Sequence, residues 1–355
     1  MPSSAVHFLL VGGSHPHSRA HLRTLQVLPE VAAVTVAEED DAVRTEYAAQ
    51  PKVVAALPSL DAALRTDATH AFVCVPNTAS PNTICRCAAA GRHIIAEKPL
   101  AVSARAFAPA AAAVRDAGVV FSVMYQARLH PFSVEARWLI QAGVLGRPIA
   151  AEARMVTSQV RHRDPGHWLF RRDVAGGGIL SWLGCHYVDL LAYLLGDEYA
   201  SVAAHVGTLG GEAVDVEDVA ALSLRFAAGT LATLTAGYLL ALSPAGYAQG
   251  AYDTHIGVYG TDGRLWWDPV GGRTLHVESR QAGWMSAPRR EYTFGVAESP
   301  AYGGVYGEEF LRRFLAASRG QGDAPTGLQD GMRVLRVLDA VYESAERGVR
   351  VEICD

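Results

Sequence analysis

The sequence predicts an α/β protein in two domains. The first has a parallel sheet covered by helices, and the second is of α+β type with a large, mainly antiparallel, open sheet. Three observations carry this. At 355 residues the chain exceeds what one hydrophobic core commonly supports. Its first third alternates short apolar runs with helical patterns, the mark of βαβ units. Beyond about Gln126 that alternation gives way to paired apolar segments joined by glycine-containing turns, which read as antiparallel hairpins. The boundary therefore falls after residue 126, giving domains 1–126 and 127–355.

Taken in order, strands are expected over 6–11, 31–37, 71–75 and 93–96, with helices over 19–28, 41–50 and 82–90. The strands are apolar without polar alternation, as suits strands covered on both faces. In the second domain, 219–226 and 230–238 flank Ala227-Ala228-Gly229, and 255–259 and 264–267 flank Thr261-Asp262-Gly263. A strongly apolar helix over 179–195 is interrupted by His186 and Asp189. The stretch 330–347 carries Val334, Leu335, Leu338, Val341 and Tyr342 on one helical stripe and stops at Gly348.

Composition narrows the function classes. Half the residues are apolar, 19% are charged, and the formal net charge is -5, which suits a globular enzyme. With no Lys/Arg cluster, neither nucleic acid nor an anionic membrane is an expected partner. Residues 1–10 lack a basic n-region and a cleavage site, and no apolar stretch is expected to reach about 20 residues. A soluble chain follows as the expectation. Cys74, Cys85, Cys87, Cys185 and Cys354 form neither a paired C-x-x-C set for zinc nor a disulfide framework. A reducing cytoplasm is the expected compartment, and no metal is called for.

Gly12-Gly13-Ser14-His15-Pro16-His17 follows the first strand and precedes a helix, where a Rossmann fold places its dinucleotide-binding turn. Against G-x-G-x-x-G, Ser14 stands at the second glycine position and His17 at the third. Gly12 can still make the turn, and the helix end offers N–H groups and a partial positive charge to a phosphate. Glu38 closes the second strand where a carboxylate accepts from the adenosine ribose, with Glu39 the near alternative. Such a carboxylate repels the extra phosphate of NADP, so NAD is the expected cofactor and NADP the less favoured one. The same residues also suit an ordinary glycine turn followed by a solvated acidic turn.

Ala96-Glu97-Lys98-Pro99-Leu100 follows a strand directly. Pro99 cannot continue the strand and restricts Lys98 to an extended conformation. Lys98 therefore sits at the carboxyl end of the sheet, where open α/β folds bind ligands. Further on, Ala175-Gly176-Gly177-Gly178 leads into the apolar helix with His186.

Several motifs together, in this order and spacing, resemble the Gfo/Idh/MocA family of glucose-fructose oxidoreductase and inositol dehydrogenase. They are Val75-Pro76-Asn77, Ala90-Gly91-Arg92-His93, Glu97-Lys98-Pro99, Gly176-Gly177-Gly178 and Gly184-Cys185-His186 with Asp189. Arg128 with Pro131, Val216-Glu217-Asp218 and Tyr259 to Gly263 extend the likeness over nearly the whole chain. The resemblance implies hydride transfer between the nicotinamide and a secondary alcohol or ketone of a sugar, cyclitol or related polyol. It carries the catalytic roles to Lys98 and His186, and cofactor contacts to Gly12, Gly13, Ser14, His15, His17, Glu38, Pro76, Asn77, Glu97 and Lys98. Chemically, a positioned base supplies about 10² to 10⁴-fold in removing the hydroxyl proton, and an ammonium stabilises the oxygen's developing charge.

One position departs from the family pattern. Many members carry an aspartate four residues before the histidine, and here that residue is Trp182. His186 then needs another orienting group, with Asp189 and the Tyr125 region as candidates, or Trp182 serves as a stacking surface for a sugar face. Asp189 also suits a helix cap or surface role. Arg161, Arg163, His167 and Trp168 mix charge, imidazole and indole. They suit a polyhydroxylated substrate, or a carboxylate or phosphate on it, though a solvated loop reads the same way. Tyr125, Arg128, Arg161, His167, Trp168, Trp182, Lys98 and His186 are the expected substrate residues. Cys185, on an apolar helix, reads as a small hydrophobe. Two other functions stay open: NAD-assisted glycoside cleavage or epimerisation through transient oxidation, and a non-catalytic NAD-sensing binding protein. The resemblance further implies a homodimer or homotetramer formed through the open sheet face.

Overall fold

The computed structural model describes residues 5–245 and 250–353; residues 1–4 of the leading segment and Cys354, both read above, lie outside them. Two compact units emerge. One takes residues up to Gln126 together with Val296–Met332, and the other takes Ala127–Gly295 with residues from Arg333 onward.

The first unit alternates strand and helix. Its elements are β1 (Val6–Val11), α1 (Ser18–Val27), β2 (Val31–Ala37), α2 (Asp41–Ala48), β3 (Val53–Leu57) and α3 (Leu60–Leu64). Then come β4 (His70–Val73), α4 (Ser80–Ala89), β5 (His93–Ala96), α5 (Ala104–Ala117) and β6 (Phe121–Val123). Among the described residues the six strands are all parallel, in the order β3-β2-β1-β4-β5-β6. The order reverses beside β1, the point where such sheets take ligands at their carboxyl ends. Phe8, Leu9, Leu10, Val34, Val36, Phe72, Ile94 and Ile95 are essentially inaccessible, which is why these strands read as continuous apolar runs.

The second unit begins with α6 (Pro131–Gln141), β7 (Pro148–Ser158), α7 (Arg172–Ala175) and α8 (Cys185–Leu195). Next come β8 (Tyr199–Gly207), β9 (Val219–Phe226), β10 (Leu231–Leu240), β11 (Tyr252–Gly260), β12 (Gly263–Trp267), β13 (Leu275–Ser279) and β14 (Arg289–Tyr292). The chain ends with α9 (Gly304–Ser318), which belongs to the first unit, then α10 (Leu328–Arg347) and β15 (Val351–Glu352). The second sheet runs β14-β13-β12-β11-β7-β10-β9-β8-β15 among the described residues. Every pairing is antiparallel except β10 with β7. Both expected hairpins form, β9–β10 and β11–β12. On β9, Ala220, Leu222, Leu224 and Phe226 are buried while Ala221, Ser223 and Arg225 face outward, the period-2 pattern of a sheet covered on one side.

The structure differs from the sequence reading in three places. Residues 296–332, which a single cut after 126 gives to the second domain, pack on the first unit. Phe314 meets His70 at 5.9 Å between ring centroids, Arg312 pairs with Glu30 at 3.2 Å, and the Thr326 hydroxyl bridges the Val123 carbonyl and amide. The expected helix over 179–195 opens with a π-helical turn, Leu180–Gly184, before α8. The helical run Arg172–Leu195 is long and apolar enough by composition to cross a membrane, against the expected absence of such a stretch. It is mostly buried inside the protein, so its apolar character is that of a core helix.

Candidate active site

In the first unit, Gly12 sits at φ +90, and a Cβ there would stand 2.0 Å from the Cys74 carbonyl oxygen. Glycine is therefore required both by backbone conformation and by the close approach of β4. Gly13 is walled by Val43, Tyr47 and Glu38. The Glu38 carboxylate, at the end of β2, accepts the Ser14 amide at 2.8 Å and the Asp40 amide at 2.9 Å. It is thus tied directly to the glycine turn, 24 residues away in sequence.

α1 has no side-chain cap and no acidic residue of its own in its first turn. Pro16, inside the turn, brings no N–H, and the Ser14 amide is taken by Glu38. These features narrow the donor set to less than a glycine-rich turn offers. The cradle that a Cβ would fill and the carboxylate beside it still suit a dinucleotide. The turn from Gly12 to His15 would hold its phosphates and Glu38 its ribose. Pro76 and Asn77 follow β4, and Asn77 is buried.

β5 delivers Glu97 and Lys98 at its carboxyl end. Both are buried, at 5% and 1% exposure, and the Lys98–Pro99 peptide is cis. His17 Nδ1 and His21 Nε2 stand 3.1 and 2.5 Å from Glu97 Oε1. Burial opposes ionisation of Glu97, but the two imidazoles outweigh it and hold its carboxyl well below the usual range. Burial keeps His15 and His17 below the ordinary imidazole range. The ligand atoms of His17, His21 and Glu97 all lie within 4.8 Å of one another, a cluster the sequence reading misses. Two donors on one tetrahedral zinc stand roughly 3.3 Å apart. The 2.5 Å contact between His21 and Glu97 is instead that of a hydrogen bond.

Tyr125 follows β6 and is fully buried in this unit.

In the second unit, His186 is half-buried on α8. The glycine run before it is explained by packing. A Cβ on Gly177 would stand 1.8 Å from the Tyr342 hydroxyl, and one on Gly178 would stand 2.0 Å from the Glu217 carbonyl oxygen. The buried Glu217 carboxylate accepts the amides of Gly178 at 2.8 Å and Leu180 at 3.1 Å, and the Tyr342 hydroxyl at 3.1 Å. Burial pushes its carboxyl up, those bonds notwithstanding. Glu217 and Tyr342 thus cap the glycine run that opens the helical segment before α8, a role with no local signal because its partners lie 37 to 125 residues away.

The expected substrate residues of this unit divide: Arg128, Arg161 and Arg163 each meet a partner of their own, while His167, Trp168 and Trp182 lie side by side. Arg128 makes a bidentate, buried pair with Asp189, at 2.8 and 2.5 Å. Its guanidinium is thereby engaged in the fold, and Asp189, 1% exposed, has no surface role. Arg161 pairs with Glu212 at 3.0 Å on the surface. Arg163 is buried over the Tyr238 ring. His167 caps a short turn through the Leu169 amide, and Trp168 meets Trp182 edge-on at 6.5 Å. Trp182 is only 4% exposed. Cys185 is buried, its thiol near the Trp182 carbonyl, in keeping with a small hydrophobe.

Comparison with known proteins agrees with this architecture. Residues 6–125 match the family model described as "Oxidoreductase family, NAD-binding Rossmann fold", and residues 133–266 match the Gfo/Idh/MocA C-terminal domain. Levoglucosan dehydrogenase of Pseudarthrobacter phenanthrenivorans is 26% identical over 315 residues, 79% of each chain. Inositol 2-dehydrogenase of Rhizobium meliloti is 27% identical over 305 residues, 84% of each chain. The solved structure of a levoglucosan dehydrogenase with NADH and levoglucosan superimposes with a TM-score of 0.86 at 23% identity, covering 99% of this chain and 100% of that one. At that identity the structural match speaks for the fold. With both family models matched in order along the chain, this protein belongs to the Gfo/Idh/MocA family of oxidoreductases and carries its NAD-binding Rossmann domain.

Proposed function

We propose that this chain is a dehydrogenase or reductase that prefers NAD. It moves a hydride between the nicotinamide and a secondary alcohol or ketone of a sugar, cyclitol or related polyol. The observation that carries the reading is Lys98, buried at the carboxyl end of β5 next to an ionised Glu97. A lysine so far from solvent is costly to bury without a task or a counter-charge. The relatives named levoglucosan dehydrogenase, inositol 2-dehydrogenase and 1,5-anhydro-D-fructose reductase support the substrate class.

NAD, when bound, supplies the hydride acceptor. The Lys98 ammonium stabilises the negative charge that develops on the substrate oxygen. An imidazole nitrogen of His186 takes the hydroxyl proton. Glu38, bonded to the Ser14 amide, accepts from the ribose and disfavours a 2′-phosphate. Trp182 in place of an aspartate leaves proton transfer to Lys98 and His186.

A panel of inositols, aldoses and their acids, followed by NADH absorbance, tests the reading. Steady NADH formation with one of them supports it. Turnover without net cofactor change would favour transient oxidation instead, and cofactor binding without turnover would favour a sensor. Glu38→Ala is expected to shift the NAD to NADP ratio of kcat/KM towards NADP; an unchanged ratio rejects Glu38 as the selector. The same reading has the enzyme in the cytoplasm as a homodimer or homotetramer, a state that sedimentation would count.

A further inference from the structure

The interior beside Lys98 holds a network of two imidazoles around Glu97. The His21 amide donates to the His17 carbonyl at 3.0 Å, so the two rings project from the same side of the chain, one helical turn apart. Both reach the same oxygen of Glu97. The other oxygen, Oε2, accepts the backbone N–H of Lys98 at 3.3 Å. One carboxylate therefore joins α1 to the main chain of the lysine.

Aromatic rings close the remaining walls. Tyr302 stands 4.9 Å from the His17 ring and 4.8 Å from the His21 ring, and Phe72 lies 4.2 Å from His21. His21 is fully buried, and among the described residues its Nδ1 has no hydrogen-bond partner. A bare imidazole nitrogen among aromatic rings is unfavourable. Among the described residues the polar contact that offsets this is the one to Glu97.

We propose that His21, together with His17, is a positioning residue for the reaction: its N–H fixes the Glu97 carboxylate, which in turn fixes the Lys98 backbone and keeps a negative charge next to that residue. This rests on the role given to Lys98 above. The other titratable groups around Glu97 are His15 in the glycine turn, Cys74 just after β4, and Lys98 itself. Burial holds the Cys74 thiol well above its usual value, so Cys74 stays neutral and Glu97 is the anion of the group. Loss of the His21 donor makes Glu97 easier to protonate.

The test compares wild type, His21→Leu and His21→Gln as full-length chains, using a polyol that the wild type oxidises. In His21→Leu, kcat is expected to fall roughly 10- to 100-fold, with KM for the polyol changed by less than about threefold. Any acid limb of the kcat profile that reports Glu97 is expected to move to higher pH. His21→Gln, which retains a side-chain N–H, is expected to recover most of both. If His21→Leu does not fold, His17→Phe is read on the same limb.

An unmoved acid limb accompanied by a lower melting temperature would reduce His21 to a packing residue. Failure of His21→Gln to recover the limb would also overturn the proposal, as would stoichiometric zinc in the purified chain, removable by chelator. A wild type inert towards every polyol and sugar would refute the function itself. Wild-type turnover beside an unshifted limb would refute the positioning role alone.

Discussion

Glu97 in the first unit and Glu217 in the second are both almost inaccessible, at 5% and 1% exposure, yet they are held by different means. Glu97 receives two imidazole nitrogens and sits beside a lysine, and its carboxyl stays well below the usual range. Glu217 receives two backbone amides and a tyrosine hydroxyl, and burial still pushes its carboxyl up. The contrast separates two uses of a buried acid. One is a fixed charge near the candidate chemistry. The other is a cap that satisfies the start of a helical segment. Glu97 acts next to Lys98 in sequence, whereas Glu217 reaches the glycine run before His186 from about 40 residues away.

Breaking that contrast at its strongest point means removing the reactive groups. Lys98→Met and His186→Gln are each expected to lower kcat about 10² to 10⁴-fold, whereas Glu217→Gln, a change in the cap, is expected to leave kcat within about threefold. Steady-state kinetics on one active polyol reads all three. A Glu217→Gln loss as large as that of Lys98→Met would erase the distinction.

Next in size are the glycines. Gly12→Ala combines φ +90 with a Cβ 2.0 Å from a carbonyl oxygen, and Gly178→Ala has the same clash without the unfavourable φ. Losses of about 3 kcal/mol or more and of about 2 kcal/mol are expected. Urea unfolding gives the order, and a tolerated Gly178→Ala would mean that the Glu217 turn can move.

Smaller effects appear with pH. Burial pushes His70 in the first unit down to about 3 and His130 in the second to about 4. Both rings are neutral in the fold, so their contribution is complete above the ordinary imidazole value near 6.5 and is lost as pH falls from there towards the folded values. Each costs about 1.4 kcal/mol per pH unit in that window. Melting from pH 7 to 5.5 is expected to be less steep in His70→Gln than in wild type, and an equal slope would reject it.

The two glutamates themselves give the smallest and most diagnostic signal, because their signs oppose. Glu97, with a lowered folded value, contributes stability above the ordinary carboxylate range that is lost as pH falls through the folded value. Glu217, with a raised one, contributes below that range and loses it as pH rises through its folded value. Glu217→Gln is thus expected to stabilise by about 1 kcal/mol at pH 8. Glu97→Gln is expected to destabilise there and to flatten the acid side. Thermal melts that moved in the same direction for both would break the comparison.

Much of the architecture was legible from local pattern. The apolar runs that became β1, β2, β4 and β5, and the glycine turns of the β9–β10 and β11–β12 hairpins, each reflect a few consecutive residues. β3 and β6 were not legible: Val53–Leu57 is half-buried without alternation, and Phe121–Val123 is three residues long. The packing of 296–332 on the first unit was hidden for a different reason, since it depends on partners such as His70 and Val123 about 200 residues away.

The candidate site divides in the same way. Glycine at 12, the carboxylate at 38 and the lysine before Pro99 are fixed by turn chemistry and strand ends, so the sequence alone determined where they stand in their sheet. Tertiary structure alone decided that Arg128 pairs with Asp189, that Glu217 and Tyr342 hold the glycine run, and that His17 and His21 meet on Glu97. Backbone propensity and periodicity act over one or two turns of chain. A buried charge or imidazole takes its role from whichever group the fold brings within about 3 Å, and sequence spacing does not record that partner.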